Sequence, residues 1–115
     1  MANNFKNGGT TGLSTNSSSP TTLYTANNGS QAVNSIVIEL DIANTGTSAI
    51  TATALLYDSS ATASYHIVKN APIPSGSTLK VISGQKVVLN GDDQIRAYAS
   101  ANTADAIVSV LEDVA

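Results

Sequence analysis

No cluster of side chains in this 115-residue sequence announces an acid–base, nucleophilic or metal chemistry. His66 is the single histidine and sits between Tyr65 and Ile67 in an apolar-alternating stretch. A catalytic triad or a zinc site needs a histidine to converge with a nucleophile or with further ligands. His66 lies in a strand-like stretch, and the chain has no second histidine and no cysteine, so it reads as an ordinary strand histidine. Asp92 and Asp93 in the segment "NGDD" offer carboxylate oxygens. Ca²⁺ takes about six to eight oxygens at set spacing, which this segment does not supply, and a solvated hairpin tip is expected instead. Glu39 and Asp41 fall two residues apart on an alternating stretch and so share one strand face, as a glycosidase carboxylate pair could. Such pairs work in clefts lined by aromatic rings, and this chain holds four Tyr, one Phe and no Trp. The sequons "NSS" (16–18) and "NGS" (28–30) are matches that a chain so rich in Asn, Ser and Thr produces by chance. No catalytic, cofactor or metal site is expected, and the chain reads as a non-enzyme.

The absence of cysteine removes disulfides, thiolate ligands and thiol nucleophiles together. Five Lys and Arg against eight Asp and Glu leave a formal charge of 5 − 8 = −3, and charged residues make up only 11%. Lys6, Lys69, Lys80, Lys86 and Arg96 are scattered, so there is no basic footprint for nucleic acid. The first residues lack the apolar core of a signal peptide. No apolar run approaches the roughly 18 residues needed to cross a bilayer as a helix, so neither nucleic acid nor membrane is an expected partner.

The elements that position these residues are strands. Residues 1–20, "MANNFKNGGTTGLSTNSSSP", carry few apolar anchors, and ordering them has little burial to offset its entropy. The expectation is a flexible N-terminal arm over 1–20, with Phe5 and Leu13 as the apolar contacts it would make on a partner. Residues 21–115 are expected to form one β-sandwich domain. Strands are read at 21–25, 32–44, 49–58, 65–70, 78–83, 86–89, 94–100 and 105–113 from period-two alternation and turn signals. In 32–44 the alternation assigns Ile36, Ile38, Leu40 and Ile42 to one face and Val37, Glu39 and Asp41 to the other. "NGDD" carries the Asn-Gly signal of a tight hairpin. The fold class is all-β: an antiparallel sandwich of about seven or eight strands, of jelly-roll or immunoglobulin-like type.

Between strands, "KNAPIPSGSTL" brackets Ile73 between Pro72 and Pro74. Proline lacks an N–H for a central ladder and holds the residue before it extended. A stiff crossover that also protects a sheet edge follows from this. The same three residues could form a rigid ridge for a neighbouring subunit. Much of the apolar fraction is Ala, so little area is buried per residue, and support from neighbouring chains is expected.

The segments "LYT", "NAPIPSGSTL", "KVVLNGDDQIRAYAS" and "VSVLE" together resemble small virion structural proteins of tailed bacteriophages. The resemblance implies a β-sandwich accessory protein of the virion, assembled in the host cytoplasm and bound to the major capsid protein or another virion protein. Capsid decoration (cement) as a homotrimer is the leading expectation, with a neck, tail or fibre component as the alternative. A carbohydrate-binding module using Tyr57, Tyr65 and Tyr98 as platforms is a further reading.

Overall fold

The computed structural model describes residues 4–26 and 34–114. Among these residues eight strands follow one another: β1 Asn4–Thr11, β2 Thr21–Thr25, β3 Asn34–Asn44, β4 Ile50–Asp58, β5 Ala63–Ile73, β6 Thr78–Leu89, β7 Gln94–Ala99 and β8 Ala104–Val114. They form two four-stranded sheets, one ordered β1-β8-β3-β6 and the other β2-β7-β4-β5. Every pairing is antiparallel. Among the described strands, only β4 and β5 are consecutive and paired as a hairpin; the other consecutive strands lie in different sheets. One apolar cluster joins the layers, with Leu40, Ile42, Val108 and Val110 from the first sheet and Ala54, Ile95 and Ala97 from the second. The all-β, two-layer reading is met, with a strand rather than a helix at residues 104–114, as the β-branched residues there favour.

The N-terminal arm differs from expectation. Residues 4–11 are edge strand β1, paired without interruption from Asn4↔Glu112 to Thr11↔Asp105. Backbone ladder bonds, not side-chain burial, order this Asn- and Gly-rich segment. Glycine lets it lie close: a Cβ at Gly8 would stand 3.2 Å from the Leu23 carbonyl oxygen, and one at Gly9 would stand 3.0 Å from that of Ala106. Leu13 then turns into the core at 1% exposure, with its N–H donating to the Ala104 carbonyl at 2.9 Å. The folded unit therefore includes β1 and Leu13 rather than beginning after Pro20.

A β-bulge corrects the reading of β3. Register shifts between Val37 and Glu39, against both β6 and β8. The extra residue, Ile38, inverts the alternation. Ser35 and Val37 face inward before it, and Leu40, Ile42 and Asn44 face inward after it. Ile36 and Ile38 are thereby left on the outer side with Glu39 and Asp41.

The proline stretch is the crossover between sheets. β5 is an edge strand and runs through Pro72, opposite Thr51, to Ile73, opposite Ile50. Pro72 and Pro74 are exposed, whereas Ile73 is in the core. Buried Asn44 fastens the turn that follows. Its Nδ2 donates to the Ile73 and Ser48 carbonyls at 3.0 and 2.8 Å, and its Oδ1 accepts from the Gly46 N–H at 3.0 Å.

"NGDD" is a corner, not a hairpin, because β6 and β7 belong to different sheets. Asp93 is buried rather than solvated. It accepts hydrogen bonds from the N–H groups of Ser59 (3.1 Å) and Asn90 (3.0 Å), tying the β4–β5 turn to this corner.

Candidate functional site

Strand register sets out the outer face of the β1-β8-β3-β6 sheet. Phe5 opposes Leu111, Leu111 also opposes Ile36, and Ile36 opposes Val88. One apolar row thus crosses all four strands. Phe5 is 77% exposed and Val88 56%. Ile38, lifted outward by the bulge, shares a depression with Phe5, Asn7 and Ser109. Ile107 on the same face of β8 is 58% exposed and opposes Gly9, which has no side chain to cover it. Isolated exposed apolar residues are ordinary on a protein surface, but a row spanning a sheet is a candidate contact surface.

The far end of this face is charged. Asp41 opposes Lys80, and a second depression there is lined by Asp41, Ala43, Thr78, Lys80, Asp105 and Ile107. Hydrogen bonding and charge from Asp41 hold the Glu39 carboxyl above its ordinary range, with Lys80 opposing the shift. The pair does share a face, as the alternation implied, but it lies on an open sheet surface. Among the described residues, no group of three or more His, Asp or Glu is placed to hold a metal ion.

The row's β1 end is clamped from beneath. Glu112 lies buried on β8, where its carboxylate accepts a hydrogen bond from the Tyr24 hydroxyl of β2 and pairs with Lys6 Nζ of β1 at 3.1 Å. The Tyr24 hydroxyl also lies 3.0 Å from Ser35 Oγ of β3. The Tyr24 hydrogen bond foremost, and then Lys6, hold the Glu112 carboxyl below the usual range against the opposing effect of burial. Three strands meet at this carboxylate and β3 joins them through the Tyr24 hydroxyl, a junction that sequence reading missed because nothing local marks it.

The residues expected to contact partners fall in different places. Phe5 is on the open face; Leu13 and Ile73 are in the core and unavailable to a partner; Pro72 and Pro74 are exposed on the opposite sheet's edge and its crossover. A ridge built on Ile73 is therefore not present, because its side chain fills the chain's own interior. His66 is exposed on β5. The three tyrosines do not share one face: Tyr57 and Tyr98 lie on the same side of the second sheet, with the Arg96 guanidinium 4.0 Å from the Tyr57 ring centroid, whereas Tyr65 opposes Leu56, one residue off that face. No family model, curated protein or solved structure matches the chain. No helix among the described residues is long and apolar enough to cross a membrane.

Proposed function

We propose that this chain is a non-enzymatic structural protein of a bacteriophage particle, docking on other virion proteins through the outer face of its β1-β8-β3-β6 sheet. The observation that carries the docking reading is the Phe5–Leu111–Ile36–Val88 row, which crosses a whole sheet and is left open to solvent. The fold supports the class of assembly. Pairings β1·β8, β2·β7, β3·β6 and β4·β5 are nested, as in one long hairpin rolled into two layers. That nesting supports the jelly-roll reading, an architecture used in viral capsid domains, over the immunoglobulin-like one. The segments that resemble small phage virion proteins point the same way.

Within that class, capsid decoration is favoured, with the major capsid protein as partner. An apolar row across a whole sheet face suits a broad shell surface, and the thin, Ala-rich core gains from added burial. A neck or tail position is the second reading, favoured by the same face against a ring protein. Mass spectrometry of purified particles, looking for the 11.7 kDa chain with its copy number counted against the major capsid protein, separates them. A copy number comparable to that of the shell subunit supports decoration. A number matching a single ring supports neck or tail. Absence from the particle overturns the proposal.

A further inference from the structure

Four strand edges lie at the margins of the two sheets, and three of them carry devices that block further pairing. β5 has Pro72, two register shifts and a left-handed residue at Asn70. β6 has two register shifts and positive φ at Gly84 and Lys86. β2 is five residues long with one shift. β1 has none of these. It pairs with β8 over eight consecutive residues without a shift and contains no proline. Among the described residues its outer backbone edge has no ladder partner.

The sequence of β1 says what fits there. Phe5-Lys6-Asn7-Gly8-Gly9 has two bulky residues, a centre, and two residues without side chains. An antiparallel copy centred on Asn7 sets Phe5 opposite the partner's Gly9 and Lys6 opposite the partner's Gly8. The bulky positions fill the empty ones in both directions, and the strand's single charge avoids its own copy. An aromatic ring lying over a glycine on a neighbouring strand is a known way to cover that gap. Here the ring also reaches toward the partner's Ile107, which Gly9 leaves exposed.

We infer that β1 is a self-pairing edge, through which two copies of this chain join about a twofold axis at Asn7 into one continuous eight-stranded sheet. Opposed residues in an antiparallel ladder point to the same face, so the two outer faces lie on one side and form a single larger surface. The contact is twofold, in place of the threefold closure expected from the sequence. The pairing stands whether or not that surface docks on a particle, because it is tested on the chain alone.

Light scattering coupled to gel filtration on the full chain at about 100 µM, a concentration chosen for a small interface of modest affinity, reads the oligomer. The expected mass is twice 11.7 kDa. Phe5→Lys, at a largely exposed site, is expected to return the chain to a monomer with unchanged circular dichroism. Register is read by cysteine substitution, since the chain has no cysteine of its own. Asn7→Cys is expected to form a disulfide-linked pair under mild oxidation, and Thr11→Cys is not. A monomeric or trimeric wild type overturns the proposal, as does Asn7→Cys cross-linking no faster than Thr11→Cys.

Discussion

Removing the Asn44 amide tests whether one buried side chain holds the crossover between sheets. Asn44 is 2% exposed and joins three segments that are remote in sequence: its own β3–β4 turn, the Ile73 carbonyl at the end of β5, and the β7–β8 turn, where Thr103 Oγ1 lies 3.4 Å from its Oδ1. Asn44→Ala deletes three well-formed bonds, to Ser48, Ile73 and Gly46. Each contributes about 1 kcal/mol net. Water can replace the partner at Ser48, an exposed residue, but the Ile73 carbonyl bond is buried. A loss of about 2–3 kcal/mol follows, equivalent to a fall in Tm of about 10 °C for a domain of this size. Asn44→Asp keeps the acceptor for Gly46 but turns an oxygen toward the two carbonyls, so it should be no better than Ala. Thermal melts by circular dichroism measure both. A Tm change under about 2 °C for Asn44→Ala would refute the idea that this residue fastens the crossover.

Other predictions concern the first strand and the acidic groups. Leu13→Ala should cost about 2–4 kcal/mol in a denaturant titration, because it opens a cavity in the core. Phe5→Ala should change monomer stability by under about 0.5 kcal/mol. Deleting residues 1–20 should lower Tm sharply, since it strips β1 from β8 and removes Leu13; an unchanged melt contradicts the place given to β1. Because Glu112 is held below its unfolded pKa, its contribution is present above that unfolded value, near 4.3, and is lost as pH falls through the lower folded value. The stability gap between wild type and Glu112→Gln should therefore close in melts taken progressively below about pH 4. A gap constant with pH refutes the linkage. Asp41→Asn should move the Glu39 titration, followed by NMR, back down toward the ordinary carboxylate range, and no movement would contradict the pairing of these two side chains.

Local patterns made part of the fold legible. β2 begins straight after Pro20, at Thr21, and the Ile95, Ala97, Ala99 alternation in β7 marks the residues that are buried. The prolines correctly signalled an edge and a crossover, because a missing N–H is a local fact. β1 was not legible: its side chains carry no alternation, and what orders it is a ladder to residues about a hundred positions away. The outer row was hidden for a related reason. The bulge at Ile38 moves Ile36 out of the core and onto the same face as Glu39, and only the paired strands reveal that shift. Phe5 could be picked out as an exposed apolar residue, but Leu13, a few residues on, could not be separated from it without the turn that buries it. "NGDD" has hairpin chemistry, yet its flanking strands enter different sheets, which no property of the segment itself records.

Occupancy on the particle, compared between two surface variants, tests the docking face most directly. Val88→Lys places a charge in the apolar row, and Tyr65→Lys places one at a similarly exposed site on the other sheet. Particles assembled with each variant are purified, and the bound chain is counted by mass spectrometry. The account predicts that Val88→Lys falls at least about tenfold, the equivalent of about 1.4 kcal/mol, while Tyr65→Lys stays at the wild-type level. Full occupancy by Val88→Lys, or a loss with Tyr65→Lys alone, would contradict it.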